Sequence, residues 1–239
     1  MCGRFTLAAT LEELMNYIAF SEHPEGLEAI QRYNLAPGQL APAVISLRGV
    51  MRMGMLQWGL IPSWVKEARP GSPPINAKAE TLMDKPTFRE PFQHKRCLIL
   101  ADSYYEWRTM PDGSKQPMRI MLKNRSIFAM AGLYDTWTSP DGTKVSTCAV
   151  ITTTPNKLTG EIHHRMPVIL RQEDHGLWLD REHFDQALLQ ALLVPYPAEE
   201  MEAYPVSPAV GRVQNDGPEL IIPFIRPEQE APPEQQQLF

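Results

Sequence analysis

The stretch SIFAMAGLYDTWTSPDGTKVSTCAVIT, residues 126–152, decides the predicted fold, because it has the pattern of two strands joined by a turn. Apolar runs at residues 126–134 and 145–152 flank Ser139-Pro-Asp-Gly142, and these residue types favour a tight turn. Each run is too short for a typical helix and is rich in aromatic and β-branched residues. The stretch therefore predicts a β-hairpin of two buried strands.

Similar patterns on both sides extend this prediction. Further strands are expected at residues 2–7, 43–47, 51–60, 96–101, 118–122 and 168–170, with turns at Arg48-Gly49 and Pro111-Asp-Gly113. Helices are expected from the capping box Thr10-Leu-Glu-Glu13 to about residue 20, at 77–83 with Pro86 limiting it, at 155–162 and at 184–193. Hairpins mixed with a few helices, without βαβ alternation, predict an α+β fold with mainly antiparallel sheets.

Length and composition favour one folded domain. The chain has 239 residues, of which 43% are hydrophobic and 21% charged, and it contains 23 prolines. We expect a single domain at residues 1–226, followed by a disordered acidic tail at 227–239, where the composition is low in complexity. With no apolar run long enough to span a bilayer and no secretion signal, we expect a cytoplasmic protein without a membrane partner.

Three cysteines are too few and too widely spaced for a disulfide framework or a zinc site. Cys97 and Cys148 lie within apolar runs and are expected to be core thiols. Cys2 directly follows the initiator methionine, and removal of Met1 would expose an α-amine beside its thiol. Both groups titrate near pH 8 to 8.5, so they are better nucleophiles at neutral pH than lysine. An aldehyde would form a Schiff base with the amine and then a thiazolidine with the thiol.

Charge is unevenly distributed along the chain, whose formal net charge is −5. Residues 199–239 hold eight acidic and two basic residues, so the rest is nearly neutral. Residues 48–96 contain nine basic and four acidic residues. This local excess of positive charge permits an anionic ligand.

Polar residues elsewhere form three further candidate sites. Glu106 and Trp107 follow a buried strand, where a desolvated carboxylate could move protons and an indole could stack on a base. His163 and His164 are adjacent, so at most one should reach a site if this segment is a strand, and the pattern does not choose between them. Asn76-Ala-Lys78 lies near a predicted helix start, where anions bind favourably. A solvated surface or core role remains open for each group.

Five motifs taken together resemble the SRAP family, the SOS response-associated peptidases. They are Met1-Cys-Gly-Arg-Phe5, Trp58-Gly-Leu-Ile-Pro-Ser-Trp64, Asn76-Ala-Lys-Ala-Glu-Thr81, Arg96-Cys-Leu-Ile-Leu-Ala-Asp-Ser-Tyr-Tyr-Glu-Trp107 and Ile162-His-His-Arg-Met-Pro-Val-Ile-Leu170. The resemblance runs in order from residue 2 to about residue 222. It implies that the antiparallel sheets form a barrel-like core with several flanking helices.

The resemblance also implies a function and a set of site residues. It implies a sensor that crosslinks to abasic sites in single-stranded DNA through a thiazolidine at Cys2, after self-removal of Met1, with a weaker lyase activity. Asn76, Glu106 and His163 fall on the remaining catalytic positions. The residues expected to contact DNA are Arg4, Trp64, Lys78, Trp107 and Arg165. Neither a cofactor nor a metal is implied, and we expect a monomer associated with the bacterial nucleoid when bound to DNA.

Two positions depart from the family pattern, and two other functions remain open. Lys78 replaces the more usual arginine, which loses bidentate phosphate geometry, and His164 replaces an acidic residue. The first alternative function is a cysteine peptidase that cleaves other proteins. The second is a noncovalent single-stranded DNA-binding module.

Overall fold

The structure is a computed structural model, which describes residues 2–20, 31–66 and 73–225. Met1 and the predicted tail at 227–239 lie outside these residues. The α-helices of the described part are α1 (Leu11–Tyr17), α2 (Pro86–His94), α3 (Lys157–Gly160), α4 (His175–Leu179) and α5 (Gln186–Ala191). Its strands are β1 (Phe5–Leu7), β2 (Arg32–Leu35), β3 (Leu40–Leu47), β4 (Val50–Trp58), β5 (Asn76–Lys78), β6 (Arg96–Ala101), β7 (Ser103–Thr109), β8 (Lys115–Leu122), β9 (Phe128–Thr138), β10 (Lys144–Thr153), β11 (Met166–Pro167), β12 (Ile169–Leu170) and β13 (Met201–Pro205).

A closed barrel forms the centre of the fold. Its strands follow the order β10-β4-β3-β6-β9, and pairing of β9 with β10 closes it. All of these pairs are antiparallel except β4 with β10, which is parallel. Short strands extend this sheet, since β5 and β11 pair with β10 and β12 pairs with β9. The predicted α+β fold with a mainly antiparallel, barrel-like core is confirmed.

A second, antiparallel sheet has the order β13-β8-β7-β1-β2. Its strand β1 begins three residues after Cys2, and its strand β7 follows β6 of the barrel after a single residue, Asp102. Buried side chains from both sheets, including Phe5, Trp58 and Tyr104, pack in one apolar cluster that also contains Cys2. The N-terminal cysteine therefore lies where the two sheets meet.

The predicted hairpins and capping box are confirmed. Strands β9 and β10 pair from Lys144 opposite Thr138 to Val150 opposite Gly132, as the opening stretch predicts. The Thr10 side chain accepts a hydrogen bond from the Glu13 N–H, and the Glu13 carboxylate accepts one from the Thr10 N–H. Helix α1 is shorter than expected and ends at Tyr17, because Ile18 already has extended backbone angles.

The predicted helix at residues 77–83 is wrong. Residues Asn76–Lys78 instead form β5, which pairs in parallel with Val150 to Thr152 of β10, and Ala79–Thr81 form one turn of 3₁₀ helix. Pro86 does not limit a helix but occupies the first turn of α2. Proline is tolerated there because the N–H that it lacks would have no partner within the helix. The sheet edge supplied by β10 overrides the local helical preference.

Two other predicted elements differ in extent. The helix expected at 155–162 covers only Lys157–Gly160, with Asn156 as its N-cap. Glu106 and Trp107 were expected to follow a strand, but they lie within one. The chain continues after β6 as β7, and Glu106 is in the middle of that strand. Here the pairing with β8, in which Glu106 lies opposite Met118, extends the sheet beyond the apolar run.

Arg96 at the start of β6 links the barrel to two helices. Its side chain is fully buried, and its guanidinium donates to four backbone carbonyls, those of Phe92, Gln93, Trp178 and Asp180. Two of these carbonyls belong to the last turn of α2, and the others lie at the end of α4. Arg96 thus satisfies acceptors that the ends of these helices leave without an intrahelical donor.

None of the described helices combines the length and the apolar character that crossing a membrane requires.

Candidate active site

Cys2 is the centre of the candidate site. Its side chain is fully buried just before β1, and the backbone N–H of Arg4 interacts with its sulfur. Burial, followed by the nearby charge of Glu106, raises the pKa of the Cys2 thiol well above its usual range. The thiol is therefore protonated at neutral pH and needs a base before it can attack an electrophile.

Asn76 holds the backbone of this cysteine. Its side-chain Nδ2 donates a hydrogen bond of 2.9 Å to the carbonyl oxygen of Cys2. Strand β5 fixes the position of Asn76, because it pairs with Val150 of β10. The other side-chain atom, Oδ1, is buried and accepts no hydrogen bond from the described residues. Asn76 therefore retains one acceptor for a group that arrives beside Cys2.

Glu106 of β7 places its carboxylate close to the Cys2 thiol. The residue is 3% exposed, and burial raises the pKa of its carboxyl group. The Oε1 atom lies 3.8 Å from Nδ1 of His163. A carboxyl group with a raised pKa, next to an imidazole, is suited to both giving and taking a proton.

His163 lies in the loop between α3 and β11. Its backbone N–H donates to the Thr159 carbonyl, and its Nδ1 accepts from the backbone N–H of Arg165 at 3.1 Å. Burial lowers the pKa of His163, so its imidazole is neutral at neutral pH. The expectation that neighbouring histidines face apart does not apply to this loop. The rings of His163 and His164 are 4.2 Å apart and inclined by 33°, although only His163 reaches Glu106.

Two predicted DNA contacts, Arg4 and Arg165, are already bound within the protein. The Arg4 guanidinium donates to Asn34 Oδ1 and to the carbonyls of Val210 and Gly211. Arg165 forms a bidentate ion pair with Glu80, with N–O distances of 2.7 and 2.9 Å, and also donates to the carbonyl of Thr152. Both cations thus serve the fold in this structure, and a phosphate would have to share or exchange their donors.

The other predicted DNA contacts differ in how far their side chains are exposed; they are Lys78, Trp64 and Trp107. Lys78 is exposed on β5, two residues after Asn76. Trp64 is 64% exposed. Trp107 is partly buried and packs with Tyr105 and Leu220. Because side chains alternate along a strand, Trp107 faces away from Glu106. The structure therefore brings Cys2, Asn76, Glu106 and His163 together with Lys78 nearby, and places Trp107 on the opposite face of β7.

Sequence reasoning assigned no role to Tyr104 or Glu80, although both lie in the quoted motifs. Tyr104 is buried on the same face of β7 as Glu106, and its hydroxyl has no hydrogen-bond partner among the described residues. The spacing of two residues between Tyr104 and Glu106 is the signal that could have identified it. Nothing in the sequence pattern could have paired Glu80 with Arg165, because 85 residues separate them.

Among the described residues, no group of three or more histidine, cysteine, aspartate or glutamate side chains could hold a metal ion. A buried thiol with an amide, a carboxyl group and an imidazole has instead the components of an enzyme site that uses a cysteine nucleophile.

The chain belongs to the SRAP family, described as SOS response associated peptidase, whose model matches residues 1–213. The abasic site processing protein YoqW of Bacillus subtilis is 47% identical over 222 residues, which cover 92% of this chain and 99% of that protein. The abasic site processing protein HMCES of Gallus gallus is 30% identical over 265 residues, covering 94% and 78% respectively. A crystal structure of a protein from Bacteroides thetaiotaomicron matches with a TM-score of 0.82 and 30% identity, covering 94% of this chain and all of that one.

Proposed function

We propose that this protein processes abasic sites in single-stranded DNA by forming a covalent crosslink through Cys2. The observation that carries the proposal is the buried Cys2, held by Asn76 and facing the Glu106–His163 pair. The names of the relatives, abasic site processing proteins, support the substrate. The ring-opened sugar of an abasic site carries an aldehyde. An N-terminal cysteine is well suited to capture it, because its α-amine and its thiol can both bond to the aldehyde carbon.

The reaction requires that Met1 is removed first, which frees the α-amine of Cys2. The amine nitrogen attacks the aldehyde carbon to give a carbinolamine, and loss of water then gives an imine. The Cys2 sulfur adds to the imine carbon, and the electron pair of the C=N bond moves to nitrogen. The thiol proton is transferred to a base and then to that nitrogen. The product is a five-membered thiazolidine, and the sequence of steps is reversible.

The proton transfers are assigned to Glu106 and His163. Glu106 protonates the leaving hydroxyl of the carbinolamine and, as a carboxylate, accepts the thiol proton during ring closure. His163, 3.8 Å away, exchanges protons with Glu106. At the imine stage, removal of the adjacent sugar proton would lead to β-elimination of the 3′ phosphate, which is the proposed lyase activity.

Lys78 is the proposed first phosphate contact, because its exposed side chain is two residues from Asn76 on β5. Arg165 and Arg4 are proposed to contact phosphates once DNA competes for donors that now bind Glu80 and backbone carbonyls. Trp64 and Trp107 are proposed to stack on unpaired bases. The indole of Trp64 is exposed and can do so without rearrangement, whereas Trp107 is only partly exposed.

The proposal is tested with a single-stranded oligonucleotide that carries one abasic site. The purified protein should give a band of lower mobility on a denaturing gel, and an undamaged oligonucleotide of the same sequence should not. Intact mass spectrometry of the same sample shows whether Met1 has been removed, which the proposed self-processing predicts. DNA binding without an adduct by protein that lacks Met1 would favour a noncovalent binding module. Cleavage of peptides in trans would favour a peptidase.

Glu106→Gln is expected to slow crosslinking about a hundredfold, the usual contribution of one acid–base group. Burial raises the pKa of Glu106 above its ordinary value of 4.5. The carboxylate that accepts the thiol proton is therefore lost as the pH falls through this raised pKa. The wild-type rate should decline on the acidic side at a pH above 4.5, and the variant should lack this decline. Equal pH profiles for both proteins would exclude Glu106 as the base.

His163→Ala is expected to retain crosslinking but to slow its reversal or strand cleavage. The pKa of His163 is lowered by burial, so the wild-type imidazole is neutral and able to accept a proton at neutral pH. Reversal is measured by transfer of the preformed adduct to a second, labelled abasic oligonucleotide. The matched control is His164→Ala, which removes the exposed neighbouring ring. An unchanged reversal rate in His163→Ala would remove this residue from the mechanism.

A further inference from the structure

The hydroxyl of Tyr104 is an exception to the way this fold satisfies its buried polar groups. Tyr104 is fully buried, and its hydroxyl makes no hydrogen bond within the described part of the chain. Burying a hydroxyl without a partner destabilises a protein, so such groups are rare and require an explanation. Its neighbour Tyr105 shows the usual situation, since the Tyr105 hydroxyl donates to the Tyr33 carbonyl at 2.9 Å.

The position of Tyr104 indicates what its hydroxyl is for. Tyr104 lies opposite Phe5 of β1 and opposite Ile120 of β8. It is two residues from Glu106, so both side chains are on the face of β7 that is turned toward Cys2. Tyr104 and Cys2 pack in the same buried cluster. The Cys2 sulfur and the Glu106 carboxylate are also the two groups whose charges act on the Tyr104 hydroxyl.

We propose that Tyr104 is a positioning residue of this site, whose hydroxyl donates a hydrogen bond to the Cys2 sulfur when the thiol gives up its proton. This inference rests on the proposed function. In the resting site the sulfur carries its proton and is a weak acceptor, so the hydroxyl has no strong partner. A thiolate is a strong acceptor, and in an apolar cluster it needs a donor in addition to the Arg4 N–H.

The proton balance of this step is simple. The thiol proton goes to Glu106, the sulfur forms its bond to the imine carbon, and the C=N electron pair moves to nitrogen. Tyr104 keeps its proton throughout, because burial raises the pKa of its hydroxyl far above neutral pH. The titratable groups around the sulfur are then Glu106 from β7, which now carries the thiol proton, His163 behind it, and the Cys2 nitrogen that was part of the imine. Tyr104 supplies a neutral donor to this set.

Tyr104→Phe tests the proposal because rate and stability should change in opposite directions. The crosslinking rate at neutral pH should fall roughly tenfold, the value of a hydrogen bond to a charged group. Because burial raises the pKa of the Cys2 thiol, thiolate formed without Glu106 is scarce at neutral pH and increases as the pH rises. The alkaline increase in rate that it causes should need a pH about one unit higher in Tyr104→Phe. The melting temperature should rise by about 2 °C, because a buried hydroxyl without a partner has been removed.

The matched control is Tyr105→Phe, which removes the neighbouring hydroxyl on the opposite face of β7. This variant loses its bond to the Tyr33 carbonyl, so its melting temperature should fall while its rate and pH profile stay those of the wild type. A Tyr104→Phe protein with the wild-type rate and pH profile would overturn the proposal. A loss of rate in Tyr104→Phe that only parallels a loss of folded protein would overturn it equally.

A second probe separates this inference from the proposed function. Formaldehyde converts an N-terminal cysteine to a thiazolidine without DNA, and the product is located by its mass on the N-terminal peptide. If wild-type protein lacking Met1 reacts with formaldehyde but not with abasic DNA, the proposed function fails. The role of Tyr104 is then still decided by whether Tyr104→Phe slows the formaldehyde reaction and shifts its pH profile.

Discussion

Cys2→Ala is expected to abolish the covalent adduct with abasic single-stranded DNA. Because the variant lacks the thiol proposed to remove Met1, its Met1 is removed by a methionine aminopeptidase. The resulting N-terminal amine can form an imine, but the protein has no sulfur to close the ring. Imines hydrolyse readily, and none should survive a denaturing gel. Noncovalent binding to the same oligonucleotide should stay within about threefold of wild type, because the small buried thiol contributes no charge to the surface.

Two controls make this result specific to Cys2. Cys97→Ala and Cys148→Ala each remove another fully buried thiol, from β6 and β10 respectively, and should retain crosslinking. Borohydride, which reduces an imine to a stable amine, should trap DNA on the Cys2→Ala protein. A heat-stable adduct on Cys2→Ala without reduction would show that another nucleophile captures the aldehyde.

Arg96→Ala is expected to lower the free energy of unfolding by about 3 to 5 kcal/mol. Four backbone carbonyls lose their charged donor at once, and a large side chain that is fully buried leaves a cavity. Burial lowers the pKa of Arg96 to about 10, which still leaves the guanidinium charged at neutral pH. The effect is measured by the midpoint of urea unfolding.

Arg125→Ala is the control for this loss of stability. The Arg125 side chain is 75% exposed, and its Nε is 3.8 Å from a carboxylate oxygen of Glu202. Exposed ion pairs contribute little, so this change should cost less than about 1 kcal/mol. Similar unfolding midpoints for the two variants would mean that the hydrogen bonds from Arg96 to the ends of helices α2 and α4 do not stabilise the fold.

The sequence predicted those parts of the fold in which partners are close along the chain. The β9–β10 hairpin has a turn of fixed composition between two apolar runs, and the Thr10–Glu13 capping box spans one helical turn. The helix expected at 77–83 was wrong because a distant strand, β10, provided hydrogen bonds that no local pattern records. The extent of β7 was missed for the same reason, since β8 determines where it ends.

In the candidate site, too, the sequence predicted some features, whereas others depend on residues that are distant in the chain. The resemblance of motifs predicted that one site contains Cys2, Asn76, Glu106 and His163. The structure brings these four residues together. Their distances, the burial that moves each pKa, and the engagement of Arg165 by Glu80 depend on segments up to about 160 residues apart. No periodicity within one segment carries that information.

By itself the sequence determined the class of fold, the local hairpins and the presence of a cysteine after Met1, because these follow from side-chain alternation, turn residues and position in the chain. Only the tertiary structure decided that β9 and β10 close a barrel, that β5 is a strand and that Tyr104 faces Cys2 while Trp107 faces away. The physical reason is that strand pairing and burial are set by partners far away in the chain. The conformational preference of a short segment is too weak to decide which strand it pairs with or which of its faces is buried.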